Sequence, residues 1–141
     1  SDETKQRDGL DIALVRINKK TNTVDFASAN RPLYIISNNK LSETKTDKVA
    51  IAGFTPDDYD FNQVSIKLNK GDCLYLATDG YADQFGGPDG KKFMTKNFKS
   101  LLQSASSSDM KTQESMVINR HSSWKGNYEQ VDDILVIGIK I

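Results

Sequence analysis

The hydrophobic positions follow two different periods, and the change falls near Asp83. Before it the spacing is that of strands. Ile12-Ala13-Leu14-Val15-Arg16-Ile17 is apolar on both alternating faces for most of its length, which predicts a central strand covered on both sides. Lys19-Lys20-Thr21-Asn22 reads as a polar turn, after which Val24, Phe26 and Ser28 alternate with Asp25, Ala27 and Ala29. Pro32 precedes a short apolar strand at Leu33-Tyr34-Ile35-Ile36, and Ser37-Asn38-Asn39-Lys40 makes a hairpin-type turn because asparagine tolerates positive φ. Leu41 to Lys45 is the expected returning edge strand, its charges discouraging further pairing. Residues 46–63 look irregular. Val64, Ile66 and Leu68 then alternate with Ser65, Lys67 and Asn69 as a half-buried strand. Asn69-Lys70-Gly71-Asp72 turns the chain into Cys73-Leu74-Tyr75-Leu76, which predicts that these two strands form a hairpin.

After Asp83 the period lengthens. Phe85-Gly86-Gly87-Pro88-Asp89-Gly90 is too rich in breakers for regular structure. Met94, Phe98, Leu101, Leu102 and Ala105 recur at three- and four-residue spacing, the mark of an amphipathic helix. Ser106-Ser107-Ser108-Asp109 separates it from a second helix running through about Trp124, with a serine or Asp109 as N-cap and Gly126 as stop. Met110, Val117, His121 and Trp124 would line its inner face. Ile134 to Ile141 is the closing strand. Strands, then two consecutive helices, then one strand predict an α+β fold of mainly antiparallel sheets with the helices covering one face.

At 141 residues the chain reads as one domain, 1–141, large enough to bury a core. Its 19 basic and 19 acidic residues balance, which argues against a nonspecific nucleic-acid binder. One cysteine excludes an intrachain disulfide, and Cys73 reads as a small buried hydrophobe. No stretch approaches the ~20 apolar residues of a membrane span.

The chemistry lies in two acidic runs. Asp79 ends the apolar run Cys73 to Ala77, and Asp132-Asp133 opens the run Ile134 to Ile137. If those strands are antiparallel neighbours, the carboxylates converge at one sheet rim. There they repel one another unless protonated or neutralised by a cation. Hard oxygen ligands suit Mg²⁺ or Mn²⁺.

Leu76-Ala77-Thr78-Asp79-Gly80-Tyr81 resembles the hydrophobic-Thr-Asp-Gly motif of the metal-dependent protein phosphatase (PP2C-like) superfamily. Asp132-Asp133-Ile134-Leu135-Val136-Ile137 resembles the late-strand acidic element of the same superfamily. Asp83-Gln84-Phe85-Gly86-Gly87, Asp8-Gly9-Leu10-Asp11-Ile12-Ala13-Leu14 and Ala29-Asn30-Arg31-Pro32-Leu33 narrow the resemblance to the bacterial sporulation-stage-II-E-like branch. It runs from about Asp8 to Ile141.

The resemblance implies a partial α-β-β-α sandwich. It implies two Mn²⁺ or Mg²⁺ ions in the complete domain and hydrolysis of phosphoserine or phosphothreonine by metal-activated water, with no nucleophilic side chain. Asp79 and Asp132 would be metal ligands. Asp133 would orient the loop or a bound water, although the residues alone do not separate it from Asp132. Gly80 would let backbone approach the site, and Asp83 would either support the ligands or cap the turn. Asn30 and Arg31 would face phosphate or shape the Pro32 turn. The family's upstream Asp and Gly-His-Gly-like segment has no counterpart in the sequence, whose one histidine is His121. The chain therefore reads as the C-terminal portion of the domain, incompetent alone in a parent that is active. The alternative is a phosphatase-like module that binds a signalling partner without turnover.

Further expectations follow. The substrate would be a phosphoprotein of the anti-sigma-factor-antagonist kind, a sensor domain would precede the chain, and no nucleic acid would bind. The parent would be cytoplasmic or membrane-anchored, and exposed strand edges would favour a homodimer. Asp57-Asp58-Tyr59-Asp60 lacks calcium-loop spacing and reads as a solvated loop. His121 reads as a packed or surface residue. Gly86 to Gly90 would be a flap near the site and lacks the Lys-Ser/Thr ending of a phosphate loop.

Overall fold

The computed structural model of the chain describes residues 8–141. The short charged lead before Asp8 lies outside the described residues. Two antiparallel sheets stack face to face, and a helix pair covers one of them. The first sheet runs β2 (Ile12–Asn18), β3 (Thr23–Ala29) and β7 (Gln63–Lys67). The second runs β11 (Val136–Lys140), β8 (Cys73–Ala77), β4 (Tyr34–Ser37) and β5 (Lys40–Glu43). Two small ladders join β1 (Gly9–Leu10) to β6 (Ile51–Ala52) and β9 (Phe85–Gly86) to β10 (Lys91–Lys92). The α+β class and the antiparallel sheets are as expected.

Alternation of side chains divides the core into two layers. Val24, Phe26, Leu33, Ile35, Leu68 and Leu74 pack between the sheets. On the opposite face of the second sheet, Tyr34, Ile36, Cys73 and Tyr75 meet Tyr81, Phe93, Phe98 and Leu102 beneath the helices. In β4 and β8, neighbours such as Ile35 and Ile36 therefore point into different layers, which is why Tyr34 to Ile36 and Cys73 to Ala77 are apolar on both faces. Helix α1 (Thr95–Ala105) buries Phe98, Leu102 and Ala105. Helix α2 (Met110–Lys125) starts at Asp109, whose side chain accepts the Thr112 amide, and stops at Gly126 with φ 51°. No helix among the described residues is long and apolar enough to cross a membrane.

Three expectations are corrected. Strand β2 is an edge strand, not a central one, and only its Ala13, Val15 and Ile17 side packs against the core. Leu14 on the other side is 65% exposed. Strands β7 and β8 do not form a hairpin: β7 pairs with β3 and β8 with β4 and β11. The turn between them is a corner from one sheet to the other. Leu68 donates its amide to Asn22 on the first sheet, and Gly71 donates to Ile141 beside the second. The breaker-rich run after Asp83 contains β9, which pairs with β10 just beyond it. It is tied to α2 by the Gly87 amide on the Trp124 carbonyl, 2.8 Å.

Candidate functional site

The antiparallel register sets the rim. Val136 opposes Ala77, Ile137 opposes Leu76, and the series continues to Lys140 opposite Cys73. The end of β8 therefore meets the start of β11, and the Thr78-Asp79-Gly80 turn lies beside Asp132-Asp133. A staple closes the contact. Thr78 donates its amide to the Leu135 carbonyl at 3.0 Å, and Thr78 Oγ1 accepts the Leu135 amide at 3.1 Å. The same hydroxyl donates to the Asp133 carbonyl at 3.3 Å. Gly80 is buried against this backbone: a Cβ there would overlap the Asp133 carbonyl oxygen and stand 3.1 Å from Ile134 Cγ1. Glycine is required by close approach here.

Each acidic residue has a defined place. Asp79 is exposed, and its carbonyl accepts the Asp83 amide at 3.0 Å, closing a tight turn. Asp132 and Asp133 are exposed, and Asp132 Oδ1 accepts the Asp133 amide at 2.8 Å. Gln130 Nε2 donates to the Asp132 carbonyl, and buried Gln84 donates its side-chain amide to the Glu129 carbonyl, so the approach to Asp132 is pinned. Asp83 pairs with Lys92 Nζ at 3.4 Å across the β9–β10 ladder. Its backbone amide, not its carboxylate, closes the Asp79 turn.

Asn30 and Arg31 sit on the same rim. Asn30 has φ 63° and donates its side-chain amide to Asp11 Oδ1 at 2.9 Å, while its backbone amide reaches the Asp47 carbonyl. Asp47 in turn gathers Tyr59 Oη, the Asn62 amide and the Asn62 side chain. The Asn62 amide foremost holds the Asp47 carboxyl below its ordinary 3.8. Arg31 donates Nε and Nη2 to the Ala77 carbonyl at 3.2 and 2.9 Å.

His121 lies away from this rim, against Tyr81 with ring centroids 5.4 Å apart. Its Nε2 is 3.3 Å from Gln84 Oε1. Both contacts of the Gln84 amide nitrogen are carbonyls, Phe85 and Glu129. Gln84 Oε1 therefore accepts and His121 Nε2 donates. Burial, then Lys125, lowers the His121 pKa from 6.5.

Thr78, Arg31 and Gln84 were not read from sequence as the residues that hold the rim. Thr78 carried a signal in its place between strand and Asp79. The other two have partners far along the chain.

The donor set fits a hard cation in part. Asp79 and Asp132 supply carboxylate oxygens at one rim, and Mg²⁺ is commonly held by one or two carboxylates with water completing the shell. Among the described residues no group of three or more His, Cys, Asp or Glu stands ready to hold a metal. These residues fit one side of a metal site rather than a full cage.

Comparison with known proteins agrees with this geometry. The profile described as Stage II sporulation protein E (SpoIIE) matches residues 2–141. The SiaA-PP2C domain of Pseudomonas aeruginosa superimposes with TM-score 0.84 at 27% identity, covering 93% of this chain and 51% of that one. The Mn-presoaked phosphatase domain of SpoIIE from Bacillus subtilis gives TM-score 0.64 at 15% identity, over 93% and 56%. The RsbU and RsbW domains of Rv1364c from Mycobacterium tuberculosis give 0.71 at 16%, over 92% and 35%. The chain thus spans about half the length, or less, of these relatives. Among curated proteins none matches.

Proposed function

The chain belongs to the stage II sporulation protein E (SpoIIE) family of PP2C-like phosphatases, and from that premise we propose that it is the C-terminal portion of a metal-dependent serine/threonine phosphatase domain. The complete domain would hydrolyse phosphoserine or phosphothreonine on a bacterial regulatory protein. The observation that carries the reading is the Thr78 staple, which holds the Asp79 turn against the Asp133 segment.

Asp79 and Asp132 would hold the divalent ions from this side, with Asp133 shaping the loop between them. When bound, Mn²⁺ or Mg²⁺ supplies Lewis acidity and neutralises charge on phosphoryl oxygens. The chain's own part would be to hold the two backbone segments that carry these carboxylates at one rim before any ion arrives. Gly80 lets the two backbones touch, Thr78 locks their spacing, and Gln84 with Gln130 pins the loop that delivers Asp132. A prearranged backbone lowers the cost of ordering the ligands on binding.

The relatives suggest the partner class. The M. tuberculosis structure carries RsbU and RsbW domains in one protein, which supports a regulatory protein as partner; that this partner is the phosphoprotein substrate, and that a sensor domain lies upstream, belong to the proposal. A cytoplasmic site of action, with any membrane anchor elsewhere in the parent, belongs to the same proposal. That only two ligands are proposed among the described residues favours incompetence of this chain alone. It also keeps the second reading, a phosphatase-like module that binds a partner without turnover.

The test is turnover of a phosphoserine peptide by the parent protein with Mn²⁺. Activity abolished by Asp79→Asn, by Asp132→Asn and by chelation supports the phosphatase reading. Absent turnover, with peptide binding retained and insensitive to chelation, supports the binding module.

A further inference from the structure

We infer that Arg31 is a positioning residue for the acidic rim, replacing a hydrogen-bond donor that the sheet itself cannot supply there. This rests on the reading of Asp79 as a metal ligand. Strand β4 pairs with β8 through Ile36 opposite Cys73, Ile35 opposite Leu74 and Tyr34 opposite Tyr75. Extending that antiparallel register by two residues sets Pro32 opposite Ala77. Proline has no N–H, so the ladder has no donor at that point. A half-buried carbonyl left without a partner is costly. Arg31, one residue upstream, meets it with two donors, Nε and Nη2, at 3.2 and 2.9 Å.

Arg31 is itself firmly held. Pro32 confines the backbone of the residue before it to extended conformations. The Arg31 amide donates to the Ala29 carbonyl at 2.9 Å, and Ser28 Oγ donates to the Arg31 carbonyl. Asn30 beside it is anchored to Asp11 and Asp47. Ala29 and Asp11 belong to the first sheet's end of the sandwich, whereas Ala77 ends β8 of the second. Arg31 therefore latches one sheet to the other immediately before Thr78 and Asp79. It sets where the Asp79 turn stands without touching what Asp79 binds. Two of its donors are spent on backbone, and a phosphate contact is a different assignment that the test below separates.

Three forms of the protein decide it: the natural chain, Arg31→Met, which keeps bulk without donors, and Arg31→Lys, which keeps charge and a donor. The first readout is amide hydrogen exchange at Thr78 and Leu135, set against Phe98 in α1. Losing a charged hydrogen bond to a half-buried carbonyl is expected to speed exchange at Thr78 and Leu135 about tenfold in Arg31→Met. Phe98 should be unchanged and Arg31→Lys intermediate. The second readout is Mn²⁺ affinity from the free-ion electron paramagnetic resonance signal, expected to weaken about tenfold in Arg31→Met and less in Arg31→Lys. The third is affinity for inorganic phosphate, expected to change little.

Unchanged exchange at Thr78 and Leu135 would overturn the latch. So would acceleration equal to that at Phe98, which marks general loosening, or loss of phosphate affinity with the rim unmoved, which marks a substrate contact. If neither the natural chain nor a longer form carrying sequence ahead of Ser1 binds Mn²⁺, the phosphatase reading fails, while the exchange data still decide the latch.

Discussion

Replacing Gly80 by alanine tests the contact on which the two acidic segments converge. The added Cβ would overlap the Asp133 carbonyl oxygen and lie 3.1 Å from both the Asp133 carbonyl carbon and Ile134 Cγ1. Two of these atoms are backbone. The segment that carries them is tied to Thr78, so it cannot swing aside as a side-chain tip can. To restore ordinary contact the Asp133 segment must retreat by about 1 Å, and that retreat breaks the staple. Overpacking of a fixed neighbour costs about 1–3 kcal/mol, and the lost hydrogen bonds place this case in the upper half, about 2–3 kcal/mol. At this chain length about 1 kcal/mol moves Tm by roughly 3–5 °C, so a fall of about 6–15 °C is expected. Gly138→Ala is the control. Its Cβ would meet the tip of Met110 at 3.0 Å and the Tyr75 ring at 3.3 Å, and a flexible tip can move. That change should cost less than about 1 kcal/mol. Urea unfolding followed by circular dichroism measures both. Equal midpoints for the two variants would falsify the close-approach argument, as would a Gly80→Ala midpoint equal to that of the natural chain.

Three further outcomes follow. Thr78→Val should lower stability by about 1 kcal/mol in urea unfolding, since it removes the hydroxyl shared by Leu135 and Asp133, whereas Thr78→Ser should not; equal losses would refute the staple. The folded-state pKa of His121 is depressed below 6.5, so its contribution is present above 6.5 and lost as pH falls through the folded value. The urea midpoint should therefore decline as pH drops below about 6.5 and flatten in His121→Gln, and parallel slopes would remove His121 from the account. Finally, β11 forms one edge of its sheet, with Leu135 and Ile137 exposed. Light scattering should show a concentration-dependent dimer that Ile137→Lys weakens, and a monomeric mass at high concentration would refute it.

The sequence and the fold part company where local pattern and long-range pairing differ. The approach of Asp79 to Asp132-Asp133 was legible because one run closes a strand and the other opens one, so antiparallel pairing of β8 with β11 brings them to a single rim. Asp109 and Gly126 marked the ends of α2 because capping is local chemistry. The corner at Asn69 to Asp72 misled for the complementary reason. Its turn residues look the same whether the chain folds back beside itself or crosses to another sheet, and the Asn22 and Ile141 carbonyls that decide it are distant in sequence. Strand β2 has the apolar residues of a covered strand, yet Leu14 faces outward. Its pattern records a hydrophobic surface rather than what covers it. Arg31 was legible as a cation that would face phosphate or shape the Pro32 turn. Its observed partner is a backbone carbonyl opposite a proline, and no side-chain pattern reveals a missing donor.

The central claim is that this rim binds divalent ions through Asp79. Calorimetric titration of Mn²⁺ into the chain, its Asp79→Asn and Asp132→Asn variants, and a longer form of the protein carrying sequence ahead of Ser1 tests it most directly. The account predicts binding that needs both aspartates and tightens in the longer form. Binding untouched by either substitution, or none in any form, would contradict it.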